Sequence, residues 1–258
     1  MSLRANKPLV EYRWSGDHPT GLPCKGLPSL VGLFAAICAL LFLAGPASAE
    51  TVEVAPGVQV TKKTWSGPNN EQPFFGFVVK SSEQKAADEK FVNAMLDAVG
   101  TREKAFDETT KRGWRAVTKG NAAEAAQRFN QAFLLAPEQS GVYHGFAVIA
   151  QMRFRDNDFA DEMFRIARKQ PNPLKSLNAD YGKMLLIAKR PREAQEVLEQ
   201  AVKDAPDFRD AWTNLAWARL QNGDAAAACA ATDEAVKQRP SGNANTDLTA
   251  VRSSAQCK

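Results

Sequence analysis

The sequence predicts an all-α solenoid made of four helical hairpins, with an extra helix at each end. The first observation is a repeat of prolines, because Pro137, Pro171, Pro206 and Pro240 are separated by 34, 35 and 34 residues. The second is that intervals between small residues inside the units also repeat. The third is a helical spacing of apolar residues on both sides of the turn at residues 222–224. Repetition with a period of roughly 20–50 residues is typical of solenoids.

The spacing inside each unit defines the four hairpins. In the last unit the small residues Ala216, Ala228 and Ala235 are separated by 12 and 7 residues, and the first and third units repeat both intervals. In the second unit the step from Ala147 to Ala160 is 13 residues, which indicates one residue inserted in the turn between the two helices. The units are expected at about residues 105–138, 139–173, 174–207 and 208–241.

This pattern resembles the tetratricopeptide repeat (TPR) family. The resemblance implies a right-handed α-solenoid whose first helices line a concave groove, and it implies that the groove binds a protein or peptide segment. Positions beside the packing residues of the first helices are expected to face this groove. The binding residues singled out among them are Trp114, Val117, His144, Gln151, Lys183, Thr213 and Trp217. The other positions expected to face the groove are Asp107, Thr110, Val148, Met152, Leu186, Ile187, Asp210 and Leu220.

Two tryptophans are the candidate anchors for binding. Trp114 and Trp217 directly follow the small residues Gly113 and Ala216, so they occupy equivalent positions in the first and last units. A large aromatic ring with a polar N–H is a frequent anchor at interfaces. The alternative is that each indole packs between neighbouring first helices as part of the core.

Residues 1–49 have the pattern of a signal peptide. Four basic residues precede an apolar run at residues 30–44, and small residues at 47–49 supply a cleavage pattern between Ala49 and Glu50. The alternative is an uncleaved membrane anchor, although the run is short for a membrane span. The sequence therefore predicts export, and the family resemblance favours the bacterial periplasm.

Residues 50–80 are expected to form an extended arm with a small hairpin, because valines alternate with polar residues around residues 56–57. The run Phe74–Val79 is expected to cover the first helices. The alternative is an exposed docking strip for a partner or for a second copy. A packing helix is expected at 81–100, from the capping pair Ser81 and Gln84 to Gly100.

The last unit departs from the repeat at Thr232, where the other units place large apolar residues. This difference predicts a weak last hairpin, which a capping helix at residues 242–258 covers, since solenoids need terminal caps. Cys229 and Cys257 are the two cysteines after residue 49, and they are expected to form a disulfide in an oxidising compartment. The alternative is two free thiols.

Charge and motif content point away from catalysis and from nucleic-acid binding. The net charge is +4, without a long run of Lys or Arg, and His144 is the single histidine after residue 49. Ser-His, Cys-His and multi-His metal sites therefore lack members. We expect no cofactor and a non-enzymatic exported adaptor that binds a protein or peptide within a cell-envelope complex. The alternative is a structural subunit that self-associates through the arm or the solenoid end.

Overall fold

The computed structural model describes residues 50–238 and 246–258. The expected signal peptide, including Ala49, lies outside these residues, as do Pro240 and the start of the expected cap at 242–258. The described chain contains ten α-helices and one two-stranded sheet. The all-α solenoid predicted from the repeat is confirmed.

Eight of these helices form four hairpins, in which each first helix packs against the second helix of its own unit. The first helices α2, α4, α6 and α8 also contact one another in sequence, so they form one continuous face. A helix precedes the hairpins and another follows them. The helices are α1 (Ser82–Val99), α2 (Arg102–Thr118), α3 (Ala122–Leu135), α4 (Ser140–Phe154), α5 (Asn157–Ala167), α6 (Leu177–Ile187), α7 (Pro191–Asp204), α8 (Arg209–Gln221), α9 (Ala225–Lys237) and α10 (Thr246–Ser254).

Side chains from the second helices fill spaces that glycines leave on the first helices. Phe129 of α3 is fully buried and lies against Gly113 of α2 and Gly145 of α4. A Cβ atom at Gly145 would lie 2.3 Å from Phe129 Cδ1, a distance that no packed carbon pair allows. Leu198 of α7 fills the space at Gly182 in the same way. These glycines are therefore required by close packing within and between the units.

The extra residue of the second unit lies in a helix rather than in a turn. Helix α4 continues to Phe154, and only Arg155 and Asp156 separate it from α5. In each of the other three units, three residues separate the two helices. The expected insertion in the turn is therefore wrong, because the additional residues lengthen α4. Arg155 ends α4 with a φ of 54°, so one left-handed residue closes a shorter turn.

The arm binds to this longer end of α4 through an aromatic stack. The ring of Trp65 lies on the ring of Phe154, with centroids 4.5 Å apart and planes inclined by 14°. Trp65 Nε1 donates a hydrogen bond of 3.2 Å to Asp156 Oδ2, and Lys63 forms an ion pair of 2.5 Å with the same carboxylate. The residues that break the regular repeat thus hold one part of the arm.

A β-hairpin at the start of the arm extends the contact to α5. Its strands are antiparallel, and the backbone N–H of Thr61 donates to Glu162 of α5 at 2.7 Å. Val60 is fully buried. The strands are β1 (Thr51–Ala55) and β2 (Val58–Thr61).

The apolar run that follows is a cover rather than an exposed strip. Residues 74–77 all have positive φ, so the run makes one left-handed turn that directs Phe74 into the core. The strain of this turn, about 1–2 kcal/mol for each residue other than glycine, is offset by burial and by hydrogen bonds to Asn130. That fully buried side chain accepts from the N–H of Phe75 and donates to two arm carbonyls. The ring of Phe74 contacts Phe77, Phe133, Tyr143 and Phe146.

This packing removes most of the surface that the docking-strip interpretation needs. Phe74 is buried, Phe75 and Phe77 are half-buried, and Val79 is the residue of the run that is fully in solvent, at 96% exposure. Self-association through the Phe74–Val79 run would therefore require the arm to detach from α3, α4 and α5.

The end of the last unit is better held than Thr232 alone predicts. Thr232 is fully buried, and its hydroxyl donates to the carbonyl of Cys229 and accepts from Arg252 of α10. Leu248 and Val251 of α10 are buried against the last hairpin. A disulfide joins Cys229 to Cys257, with the two Cα atoms 5.5 Å apart. The expected weakness is thus compensated by polar contacts and by a covalent link.

Candidate functional site

The first helices of three successive units line a cavity of about 190 Å³ that is open to solvent. Helix α4 forms its floor, and α2 and α6 form its two walls. We call this cavity and its rim the groove. It is lined by Trp114, Val117, Val148, Gln151, Met152, Phe164, Asp180, Lys183, Met184 and Ile187.

Apolar side chains that solvent reaches dominate the groove. Met152 is 37% exposed on the floor and Ile187 is 48% exposed on the α6 wall. Exposed apolar surface of this kind on a folded protein indicates an interaction site when polar groups surround it. Gln151 and Lys183 supply such groups at the rim. The groove can therefore receive an apolar side chain and hold the polar atoms beside it.

Trp114 lies where the groove meets a second cavity, because it lines both. Its ring makes an edge contact with Phe129 at 5.2 Å and lies 4.6 Å from the ring of His144. Its Nε1 atom is buried and has no acceptor among the described residues. Trp114 therefore lines the groove with part of its ring while its N–H is buried in the protein. Both interpretations of this residue hold in part, since it packs on the core and also lines the site.

His144 is part of the core and does not face the groove. It is fully buried between Trp114 and Phe164, and its Nε2 lies 3.0 Å from Asp180 Oδ2. A hydrogen bond to a carboxylate requires the proton on Nε2. The prediction of a groove residue is wrong here because every residue from Ser140 to Ala147 is buried. His144 instead orients Asp180 at the rim.

The two predicted residues of the last unit lie away from the groove. Thr213 is buried, and its hydroxyl donates to the carbonyl of Arg209 at 3.2 Å. Trp217 is half-buried against the core. The cavity ends at α6, so the structure does not bring Trp114 and Trp217 into one site. Of the seven predicted binding residues, Trp114, Val117, Gln151 and Lys183 line the groove.

The larger cavity beside Trp114, of about 540 Å³, was anticipated only on its α2 side, where the expected groove residues Asp107 and Thr110 line it. It lies between α2, the loop that joins α3 to α4, and the loop before α6. Loop residues such as Leu174, which is 43% exposed, complete it. Helical periodicity gives no information on loop positions, so the pattern could not place them.

The described residues contain no cluster of His, Cys, Asp or Glu that could hold a metal ion. None of the helices within residues 50–238 and 246–258 is long and apolar enough to cross a membrane. The groove offers an apolar floor with polar atoms at its rim, which is chemistry suited to binding.

Comparison with known proteins agrees with the repeat. Residues 185–243 match the family model described as Tetratricopeptide repeat. Within this segment the chain carries tetratricopeptide repeat sequence. The matched TPR segment begins in α6 and covers the third and fourth units, where the spacing is regular. No curated protein matches the chain.

Several solved structures share the TPR fold at low sequence identity. PilF of Pseudomonas aeruginosa is 22% identical, with a TM-score of 0.52 over 60% of this chain and 71% of its own. PilW, described as a widely conserved type IV pilus biogenesis factor, is 16% identical, with a TM-score of 0.50 over 67% of this chain and 78% of its own. A chain of the APC/C hetero-tetramer Cut9–Hcn1 is 16% identical, with a TM-score of 0.50 over 67% of this chain and 38% of its own. These likenesses describe the fold.

Proposed function

We propose that the protein is an exported, non-enzymatic adaptor that binds a segment of another protein in the groove between α2, α4 and α6. The observation that carries this proposal is the open apolar floor around Met152, framed by Trp114 and Ile187. A contiguous exposed apolar patch with a polar rim is uncommon on a monomeric protein and marks interaction sites, and a rigid aromatic ring beside it is typical of a binding anchor.

An oxidising, extracytoplasmic location is supported by two independent features. Residues 1–49 have the composition of a signal peptide, and the disulfide between Cys229 and Cys257 belongs to oxidising compartments. PilW, which shares the fold, is a type IV pilus biogenesis factor. We place the adaptor in a complex of the cell envelope. N-terminal sequencing of the exported protein should find Glu50 first; a retained apolar run would show the membrane-anchored form instead.

Self-association as a structural subunit has less support than the adaptor function. The arm is seated on α3, α4 and α5, and α10 covers the last hairpin. Both surfaces that the structural-subunit alternative would use are therefore occupied within the monomer.

Site-specific crosslinking tests the groove in the native envelope. A photoreactive residue in place of Met152 should capture one defined partner. The same residue in place of Val236, which is 45% exposed on α9, should not capture it. With the photoreactive residue kept at position 152, the change Ile187→Glu should abolish capture without changing thermal unfolding, because Ile187 is 48% exposed. Equal capture from positions 152 and 236, or capture that survives Ile187→Glu, would refute the groove.

A further inference from the structure

The charged side chains along the face of α2 differ in their balance of sign between its two ends. At the N-terminal end of α2, the larger cavity is lined by three carboxylates and by Arg102, and Lys111 lines it where it approaches Trp114. Toward the C-terminal end, Lys111 and Arg115 lie beside Trp114. Across the groove from Trp114, Lys183 stands on the α6 wall. The three carboxylates are those of Glu103, Asp107 and Glu138.

The other charged groups at these cavities already have partners. Arg102 donates to the carbonyl of Leu135, and Asp180 is bonded to His144. Arg115 is paired with Glu108, at 3.6 Å.

Six groups at these cavities are left without an ion pair in the described part of the chain. They are the three carboxylates and Arg102 at one end, whose hydrogen bond to a carbonyl leaves its charge in place, and Lys111 and Lys183 at the other. Since charges without an ion pair dominate the local potential, the first end has a net negative charge and the second a net positive one.

Apolar surface connects the two ends. Phe106 lies in the acidic cavity, Trp114 is shared by both cavities, and Met152 and Ile187 lie in the basic one. From residue 103 to residue 115 of α2 the distance is about 18 Å at a rise of ~1.5 Å per residue. An extended chain covers that length in about six residues.

We propose that this surface selects an extended partner segment with opposite charges at its two ends. Basic side chains would lie at the carboxylates, apolar side chains would cover Trp114 and Met152, and acidic side chains would lie between Lys111 and Lys183. This inference rests on the proposed function and adds the chemistry of the partner. Complementary charges of this kind set the direction of a bound segment and raise its association rate.

Three synthetic peptides with one common core test the proposal. The core alternates leucine and serine around a central phenylalanine. One peptide carries two lysines before the core and two glutamates after it, the second carries lysines on both sides, and the third carries glutamates on both sides. In fluorescence anisotropy with the wild-type mature protein, the bipolar peptide should bind roughly tenfold tighter than either other peptide at low salt. The difference should shrink at high salt, because exposed charges are screened.

Charge reversal on the protein supplies the second part of the test. The variant Lys111→Glu/Lys183→Glu should change the order of affinities of the three peptides, so that the peptide with lysines on both sides binds best. The matched control is Lys169→Glu/Lys203→Glu, which alters two exposed lysines that line neither cavity. It has the same net charge as the first variant and should keep the wild-type order.

The outcomes separate this proposal from the proposed function. Equal binding of the three peptides, or no binding by any of them, overturns the charge pattern. A reversed-charge variant that keeps the wild-type order of peptide affinities would overturn it as well. Crosslinking from Met152 decides independently whether the groove is a binding site.

Discussion

The ring of Trp65 in the arm is stacked on the ring of Phe154 at the end of α4, at 4.5 Å between centroids. The two residues are 89 positions apart in the sequence. A solenoid normally makes contacts only between neighbouring units, so this stack is a long-range element added to a short-range architecture. It fixes the arm on the second hairpin at the point where α4 exceeds the regular repeat.

Removing the indole should release the arm. Trp65→Ala loses the stack on Phe154 and the hydrogen bond to Asp156, at an expected cost of about 2–3 kcal/mol for a half-buried aromatic residue. Limited proteolysis should then cut within residues 50–80 well before the helices unfold. The control Val79→Ala alters a residue that is 96% exposed and should leave the arm resistant. An arm that stays protected in the tryptophan variant would show that other contacts hold it.

The arm should also loosen in acid. Burial acts to raise the pKa of Asp156, but hydrogen bonds from Lys63, the N–H of Phe159 and Trp65, with the charge of Lys63, lower it below its ordinary value. Because the folded pKa lies below the unfolded one, the carboxylate stabilises the fold above about pH 4. That contribution is lost as the pH falls through the folded pKa. The indole N–H resonance of Trp65 followed by NMR should report this release.

Asp156→Asn separates charge from helix capping. Asparagine can still cap α5 and accept from Trp65, but it does not titrate. The variant should therefore lose the acid transition of the Trp65 resonance while the helix remains. An unchanged transition in this variant would assign the pH dependence to another group.

Position 145 should not accommodate the methyl group of alanine without a loss of stability. Gly145→Ala would place Cβ 2.3 Å from a ring carbon of the buried Phe129, so the free energy of unfolding should fall by about 1–3 kcal/mol. At Gly141 the nearest atom is the tip of the half-buried Phe106 at 3.3 Å, which has more room to move. Urea unfolding should therefore show a small effect for Gly141→Ala. Equal effects would contradict the role of Phe129 as a wedge between α2 and α4.

The disulfide should contribute strongly to the last unit. Closing a loop of 28 residues stabilises by about 3–4 kcal/mol in the chain-entropy model. Alkylation of the unreduced protein should find no free thiol among Cys229 and Cys257. Reduction or Cys257→Ser should increase hydrogen exchange in α9 and α10 but leave α2 to α5 unchanged, because contacts in a solenoid are local. Labelling of both thiols in the native protein would disprove the link.

The sequence predicted the elements whose determinants are local. A repeated interval of small residues locates the hairpins, because each interval reflects a contact between helices of one unit. It did not predict that His144 is buried, since every residue from Ser140 to Ala147 of α4 is buried and no periodic stripe distinguishes core from groove there. Nor did it predict which helices the arm packs against. The contact between Thr61 and Glu162 joins residues 101 positions apart, and no local pattern encodes that pairing.

The distance between the arm and its seat has a consequence for folding as the chain emerges. The arm is synthesised before the helices that it contacts, since α3 begins only at Ala122 and α4 ends only at Phe154. Phe74 finds Phe133 and Phe146 only about 60 and 70 residues later, and Trp65 finds Phe154 only 89 residues later. The growing chain thus exposes the apolar residues of the arm while α2, α3 and most of α4 are made, and completion of α4 provides the last of these aromatic partners.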